Sequence, residues 1–242
     1  MDLKILQLYS YDMNIYGDCG NVLAIVRRAE RYGLNPKIEI YNQGDSFPKD
    51  VDIIIGGGGQ DSGQEKVIDD LYKISEKLKA LADDGTPMLM VCGLYQLFGH
   101  FFKTHNGEIL KGIGILDIET FGKERRLIGN VVSQSKKFGT LVGYENHSGQ
   151  TYLGESAKPL AETVELGVGN NEENLNEGCI YKSCIGTYLH GSVLPKNPAI
   201  TDFLIEKALE KKGKTLPTLK FDCYKTDIFT KNARQAAKKM KR

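Results

Sequence analysis

The chain has 242 residues, of which 32 are Lys or Arg and 31 are Asp or Glu, for a formal net charge of +1 at pH 7. That length can bury a substantial core without covalent staples, as one large α/β domain or two small ones, and the balanced charge leaves no global field to draw the protein onto nucleic acid, so a small-molecule substrate is expected. The five cysteines, Cys19, Cys92, Cys179, Cys184 and Cys223, are odd in number and form no Cys-x-x-Cys pair, which argues against a disulfide framework and a zinc site and for free thiols in a reducing compartment.

The N-terminus enters a strand-like segment at Leu3 with no basic stretch leading into an apolar one. No apolar run approaches ~18 residues, so a cytoplasmic protein without a transmembrane segment is expected. After the strand Leu3 to Leu8, the spacing of Val22, Ile25, Val26 and Ala29 predicts a helix closed by Gly33. Lys37 to Tyr41 reads as a second strand, and Asp52 to Ile55 as a buried parallel strand delivering Gly56 to Gly59. Val67, Leu71, Ile74, Leu78 and Leu81 recur at steps of three and four, then Met88 to Val91 supplies the next strand. Residues 93–102 can form a helix, which puts Cys92 on a strand-to-helix turn of an alternating β/α series, the pattern of a doubly wound sheet whose ligands bind at that edge. Beyond residue ~110 short β-like runs are expected at Ile113 to Leu116, Leu127 to Ser133 and Thr163 to Val168. A strand then leads into Gly186-Thr187-Tyr188-Leu189-His190-Gly191, and a helix is expected from Ala199 to Lys211. The absence of repeats and linkers favours one domain over residues 1–220, followed by a basic C-terminal tail, 221–242, either a solvated helix or frayed.

A cysteine at a strand end that opens a helix is either a small buried apolar residue or a nucleophile whose thiolate the helix N-terminus favours. The surrounding glycines tip the balance toward the nucleophile. Gly93 permits a tight turn and can aim its N–H at an oxyanion, and the Gly56 to Gly59 loop can offer another donor from the neighbouring strand end. The glycine run lacks the GxxxxGK[ST] spacing of a phosphate loop, and no GxGxxG opens a helix. Acyl transfer by cysteine needs a base. Of His100, His105, His147 and His190, only His190 follows a strand-like approach; His100 and His105 read as surface groups and His147 is intermediate.

The strings VCGLYQLFG, GYENHSGQTYLG, GVGNNEE and GTYLHGS, in this order and separation, resemble the glutamine amidotransferase subunits of lipid II isoglutaminyl synthase, the GatD family of cobyric-acid-synthase-like class I amidotransferases. The resemblance spans Leu3 to Lys212. It implies a three-layer α/β class I amidotransferase fold, with a central mostly parallel sheet and additional strands in the second half. Cys92 resembles the nucleophile and His190 the general base and acid, while Gly58 or Gly59, with Gly93, would supply the oxyanion hole. Arg126, next to Arg125, matches the arginine at the glutamine site, and Gln96 is a second substrate-pocket candidate that can equally face solvent. Glu145, Asn146 and His147 match family residues without an assigned role. Many class I members carry a glutamate two residues after the histidine; here that position is Ser192, so a Cys–His dyad is expected, with any orienting carboxylate supplied by a partner or by Glu145. The resemblance further implies that ammonia released from L-glutamine passes to a Mur-ligase-like partner (MurT), which amidates D-glutamate in the lipid II stem peptide during peptidoglycan synthesis. ATP and magnesium belong to that partner, and no metal or organic cofactor is expected on this chain. The competing expectations are another acceptor, such as a corrinoid, and a catalytically silent regulatory subunit.

Overall fold

The computed structural model describes residues 1–219 and 224–240. Its frame is a six-stranded sheet built from β1 (Asp2–Leu8), β2 (Asn35–Tyr41), β3 (Ile53–Gly56), β4 (Met88–Val91), β10 (Cys179–Tyr181) and β11 (Cys184–Thr187), in the order β10-β11-β4-β3-β1-β2. All neighbours are parallel except β10, which runs antiparallel to β11. The strands β3, β4 and β11 are buried along their whole length. That is why Ile53-Ile54-Ile55 and Met88-Leu89-Met90-Val91 read as unbroken apolar runs rather than alternating ones.

The crossovers are helical: α1 (Cys19–Arg31) joins β1 to β2 and α2 (Asp61–Asp83) joins β3 to β4. Because β2 and β3 lie on opposite sides of β1, right-handed crossovers put α1 and α2 on opposite faces of the sheet. Each helix turns its apolar stripe inward; Val22, Ile25 and Ala29 of α1 and Val67, Leu71 and Leu78 of α2 are buried in one continuous core. α5 (Pro198–Lys211) packs beside α1, clamped by a bidentate pair from Arg28 to Asp202 at 2.6 and 2.7 Å. Among the described residues no helix is long and apolar enough to cross a membrane.

The second half departs from the expected pattern in three places. The helix after Cys92, α3, covers only Gly93–Leu97. Phe101 and Phe102, expected at the end of that helix, instead belong to strand β5 (Phe101–Lys103), paired with β6 (Ile109–Lys111) and β7 (Ile118–Ser135). Gly99 marks the break: a Cβ there would come within 2.7 Å of the Ile118 carbonyl oxygen, so backbone approaches too closely for a helix to continue. The run Ile113 to Leu116 forms no strand; its N–H groups bond back to the Leu97, Phe98 and Gly99 carbonyls, tucking the segment under α3. Finally, the Leu127 to Ser133 run is one stretch of a long hairpin in which β7 pairs antiparallel with β8 (Gly139–Leu153), with β9 (Thr163–Leu166) on the outer side of β7. The basic segment at the C-terminus contains α6 (Tyr224–Lys239), which Arg234 anchors by donating to the carbonyls of Lys196 and Thr140. Residues 221–223 and 241–242 of the expected tail lie outside the described residues.

Candidate active site

Cys92 occupies the turn between β4 and α3 with φ 49° and ψ −101°, a left-handed conformation that costs a non-glycine residue roughly 1–3 kcal/mol and persists only where the surroundings enforce it. Here its N–H donates to the Thr187 carbonyl (2.9 Å) and its carbonyl accepts from Gln96 N–H (3.0 Å), so β11 and α3 hold the strained residue from both sides. The five-residue α3 is too short for a developed macrodipole; what remains at its start is the free N–H of the first turn.

His190 follows β11, and its N–H donates to the Tyr144 carbonyl of β8 at 2.7 Å, which ties the two sheets together at the site. The two functional side chains meet at a glycine: a Cβ on Gly58 would lie 2.9 Å from His190 Cε1 and 3.1 Å from Cys92 Cβ. His190 is 1% exposed and stacks edge-on against Tyr16, ring centroids 4.6 Å apart. Burial by itself lowers its pKa, but the Cys92 sulfur and the Asp18 carboxylate outweigh burial and hold it above the usual histidine value.

Gly93 has no room for a side chain, since a Cβ would sit 2.8 Å from Met13 Cε and 3.1 Å from Gly59 N. The backbones of Gly59 and Gly93 therefore lie close together, and neither N–H donates to an acceptor among the described residues. Gly58 differs. Its N–H donates to Asp18 Oδ2 at 2.7 Å, which leaves Gly59 and Gly93 as the pair free to bind an oxyanion.

A cavity of about 530 Å³ opens over Cys92 and is lined by Tyr16, Gly59, Gln96, Arg126, Asn146 and His147, among others. Arg126 stands at its wall, its guanidinium donating to Asn146 Oδ1 (2.5 Å) and to the Asn146 carbonyl (3.2 Å). The adjacent Arg125 pairs with Glu172 instead, at 2.7 Å. Gln96 faces the cavity side rather than solvent: its Oε1 accepts from Gln64 (2.6 Å) and its Nε2 donates to Tyr188 Oη (3.1 Å). Tyr188 continues the network through Thr151 to Thr120, each step 2.7 Å. This buried polar chain lies behind the cysteine and fixes the floor of the cavity.

His147 stacks face to face on Tyr188, centroids 3.6 Å apart, with Nδ1 2.6 Å from the Gly149 carbonyl. A carbonyl can only accept, so Nδ1 carries the proton. Burial depresses the pKa to about 3, and the ring is neutral. Asn146 orients Arg126. Glu145, expected as the internal carboxylate for the histidine, is spent elsewhere: its oxygens accept from the N–H groups of Val168 (3.1 and 3.2 Å) and Gly169 (2.8 Å). Ser192 Oγ donates to the Gly17 carbonyl (3.0 Å). His100 pairs with Asp117 at 2.9 Å and His105 is exposed, both away from Cys92 as expected.

The carboxylate that does approach His190 is Asp18, at the start of α1. Its Oδ1 lies 3.7 Å from His190 Nδ1, and both side chains are at most 2% exposed. Sequence reasoning passed over it because an acidic residue before a helix reads as a cap; the signal available was its place in the loop after β1, next to the Gly56 to Gly59 strand end.

A model of the CobB/CobQ-like glutamine amidotransferase domain matches residues 4–198. The chain belongs to that family. Among its relatives, the lipid II isoglutaminyl synthase (glutamine-hydrolyzing) subunit GatD of Staphylococcus aureus is 43% identical over 213 residues, 88% of this chain and 86% of that protein. The GatD subunit of Streptococcus pneumoniae is 36% identical over 213 residues, 87% of this chain and 82% of that protein. A crystal structure of a glutamine amidotransferase from Thermotoga maritima superposes with a TM-score of 0.56 at 16% identity, covering 98% of this chain and 93% of that one, a likeness of fold. As a glutamine amidotransferase, the chain carries its cysteine and histidine at the ends of adjacent parallel strands, β4 and β11, at the edge where doubly wound sheets bind ligands.

Proposed function

We propose that this chain is the glutaminase subunit of a lipid II isoglutaminyl synthase, acting in the cytoplasm with an ATP-dependent, Mur-ligase-like partner. The observation that carries the hydrolytic half is the convergence of Cys92 and His190 on Gly58, with Cys92 opening onto a cavity that Arg126 also lines. The acceptor half is supported by the kinship with GatD subunits at 43% and 36% identity. L-Glutamine enters with its α-carboxylate on Arg126, whose planar fork suits a carboxylate. His190 takes the Cys92 thiol proton, and the thiolate adds to the carboxamide carbon. The resulting oxyanion sits on the N–H groups of Gly59 and Gly93. His190 then returns the proton to the leaving nitrogen, giving ammonia and a γ-glutamyl thioester. Water, deprotonated by His190, hydrolyses the thioester to glutamate and restores the thiol. Ammonia passes to the partner, which binds ATP and magnesium and amidates D-glutamate of the lipid II stem peptide.

The test is glutamate release and lipid II amidation by the chain copurified with its ligase. Cys92→Ala, verified as folded, loses glutamate production by at least about 1,000-fold, since a missing nucleophile removes the covalent route. Turnover within a few-fold of wild type would overturn the assignment. Ammonia transfer to a corrinoid acid in place of lipid II would retain the chemistry and change the acceptor.

A further inference from the structure

We propose that Gln64 is a positioning residue for the oxyanion site, its backbone tied to the loop that carries Gly59 and its side-chain amide gripping the turn that carries Gly93. One residue then sets the spacing of the two donors. The inference rests on the glutaminase function proposed above and deepens it.

The two donors come from separate segments, Gly59 from the loop after β3 and Gly93 from the start of α3 after β4. Gln64 lies in the first turn of α2 and is 1% exposed. That turn closes on the loop itself: the N–H groups of Gly63 and Gln64 both donate to the carbonyl of Gln60, the residue after Gly59, at 2.8 and 3.0 Å. From there the side chain reaches across to α3, where Nε2 donates to the Gly93 carbonyl (3.0 Å) and to Gln96 Oε1 (2.6 Å). The contact is direct, since a Cβ on Gly93 would lie 3.1 Å from that nitrogen. Both hydrogens of the amide are used on one face of α3, at positions i and i+3. A helix of five residues has little stability of its own, so tertiary contacts of this kind set its place.

The same amide gives the polar chain behind the cysteine its direction. A backbone carbonyl can only accept, so the Gln64 atom at Gly93 is the nitrogen, and the Gln96 atom facing that nitrogen is the oxygen. Gln96 Nε2 is left to donate to Tyr188 Oη, and the Tyr188 hydrogen goes on to Thr151. The orientation of Gln96 at the cavity is thus decided by a residue that stands behind it. The thiol and the base are held by other elements. Cys92 N–H is on the Thr187 carbonyl, His190 N–H is on the Tyr144 carbonyl, and the His190 carbonyl accepts from Lys196 of α4 (Val193–Lys196) at 3.2 Å. A change at Gln64 therefore displaces the oxyanion donors and leaves the Cys92–His190 pair in place, which a general loss of packing would not do.

Two variants are compared with wild type, on the full chain assembled with its ligase partner and verified as folded. Gln64→Glu keeps the shape and can accept from a turned Gln96 amide, but it sets an oxygen against the Gly93 carbonyl; Gln64→Met removes both bonds. Glutamine kcat and KM are measured beside the rate of Cys92 alkylation by iodoacetamide, a displacement of iodide that develops no oxyanion. For Gln64→Glu the expected result is a kcat loss of about 30-fold or more, with KM and the alkylation rate each within about threefold of wild type. Gln64→Met should lose kcat to a similar degree and raise KM as well, because Gln96 is released. If one variant fails to fold, the other carries the test. A kcat within about threefold of wild type in a folded variant, or an alkylation rate that falls in proportion to kcat, would overturn the proposal. Wild-type turnover in the same assay separates the two readings: no glutamate from the wild-type complex would remove the function and this inference with it, whereas normal turnover with unaffected variants would remove the inference alone.

Discussion

At the scale of single residues, the space around Gly58 makes the sharpest demand. A methyl group there would press on His190 Cε1 at 2.9 Å and on Cys92 Cβ at 3.1 Å. Gly58→Ala is expected to lower kcat for glutamine hydrolysis by about 100-fold or more, because a displacement near 1 Å in reacting groups is enough for that. The fold should lose only the ~1–3 kcal/mol typical of overpacking, a small shift in a thermal melt. The two arginines give a second contrast. If Arg126 holds the substrate carboxylate as proposed, Arg126→Ala removes a charge-assisted contact worth about 1.5–3 kcal/mol, and kcat/KM for glutamine should fall roughly 10- to 150-fold. Arg125→Ala loses an exposed pair with Glu172 and should stay within twofold. Steady-state kinetics of both variants decide it; equal effects would remove Arg126 from the glutamine site. Cys92 and His190 were legible from sequence because each stands at a strand end beside glycine. The nearness of Asp18 to His190 was not, since nothing local distinguishes it among 31 acidic residues; it arises from the side-by-side placement of the β1 and β3 ends.

At the scale of elements, the β7–β8 hairpin is what sequence periodicity reads least well. In β8 the inward positions are Glu145, His147, Gly149 and Thr151, all buried, while Tyr144 faces out. Polar residues point inward because the fold offers each of them a partner, with Val168 and Gly169 N–H groups for Glu145, the Gly149 carbonyl for His147 Nδ1, and Thr120 with Tyr188 for Thr151. A strand with its polarity reversed looks like a loop to any test that seeks apolar alternation. The central strands β3 and β4 were plain for the opposite reason, being apolar on both faces. Just before β10, Glu177 is a buried carboxyl that the reaction does not use. Its Oε1 accepts from Thr187 Oγ1 (2.7 Å) and Tyr188 N–H (2.8 Å), and its Oε2 has no partner. Burial raises its pKa from 4.5 to about 7. Between those values the folded state holds a proton that the unfolded chain has released, so this group's contribution to stability is complete below pH 4.5 and declines as pH rises to about 7. Glu177→Gln carries no such proton. The melting temperature of the variant minus that of wild type should therefore increase by a few degrees from pH 4.5 to pH 7.5, where ~1 kcal/mol corresponds to about 2–4 °C for a chain of this size. A difference that is flat with pH would contradict the buried neutral carboxyl.

At the scale of the whole molecule, the site is assembled from strand ends that are neighbours in space and remote in sequence. β4 is hydrogen-bonded to β3 on one side and to β11 on the other, and all four of its side chains are buried. β11 is encoded only after the hairpin sheet is complete. Until Cys184–Thr187 arrives, Met88–Val91 is an open, uncharged, wholly apolar edge, the kind of strand that recruits other chains. The thiol that ends it has no base during the same interval, so a nascent or refolding chain carries a chemically idle cysteine on an adhesive edge. Non-local strand pairing of this type is slow. In a refolding experiment, glutaminase activity should return with the slowest phase, after most of the far-ultraviolet dichroism has recovered, and the yield should fall steeply as protein concentration rises. Activity that returned in step with the first helical signal would mean that β11 docks early. A late-arriving central strand thus keeps ammonia release silent until the chain is nearly whole, at the cost of a long exposure to misassembly.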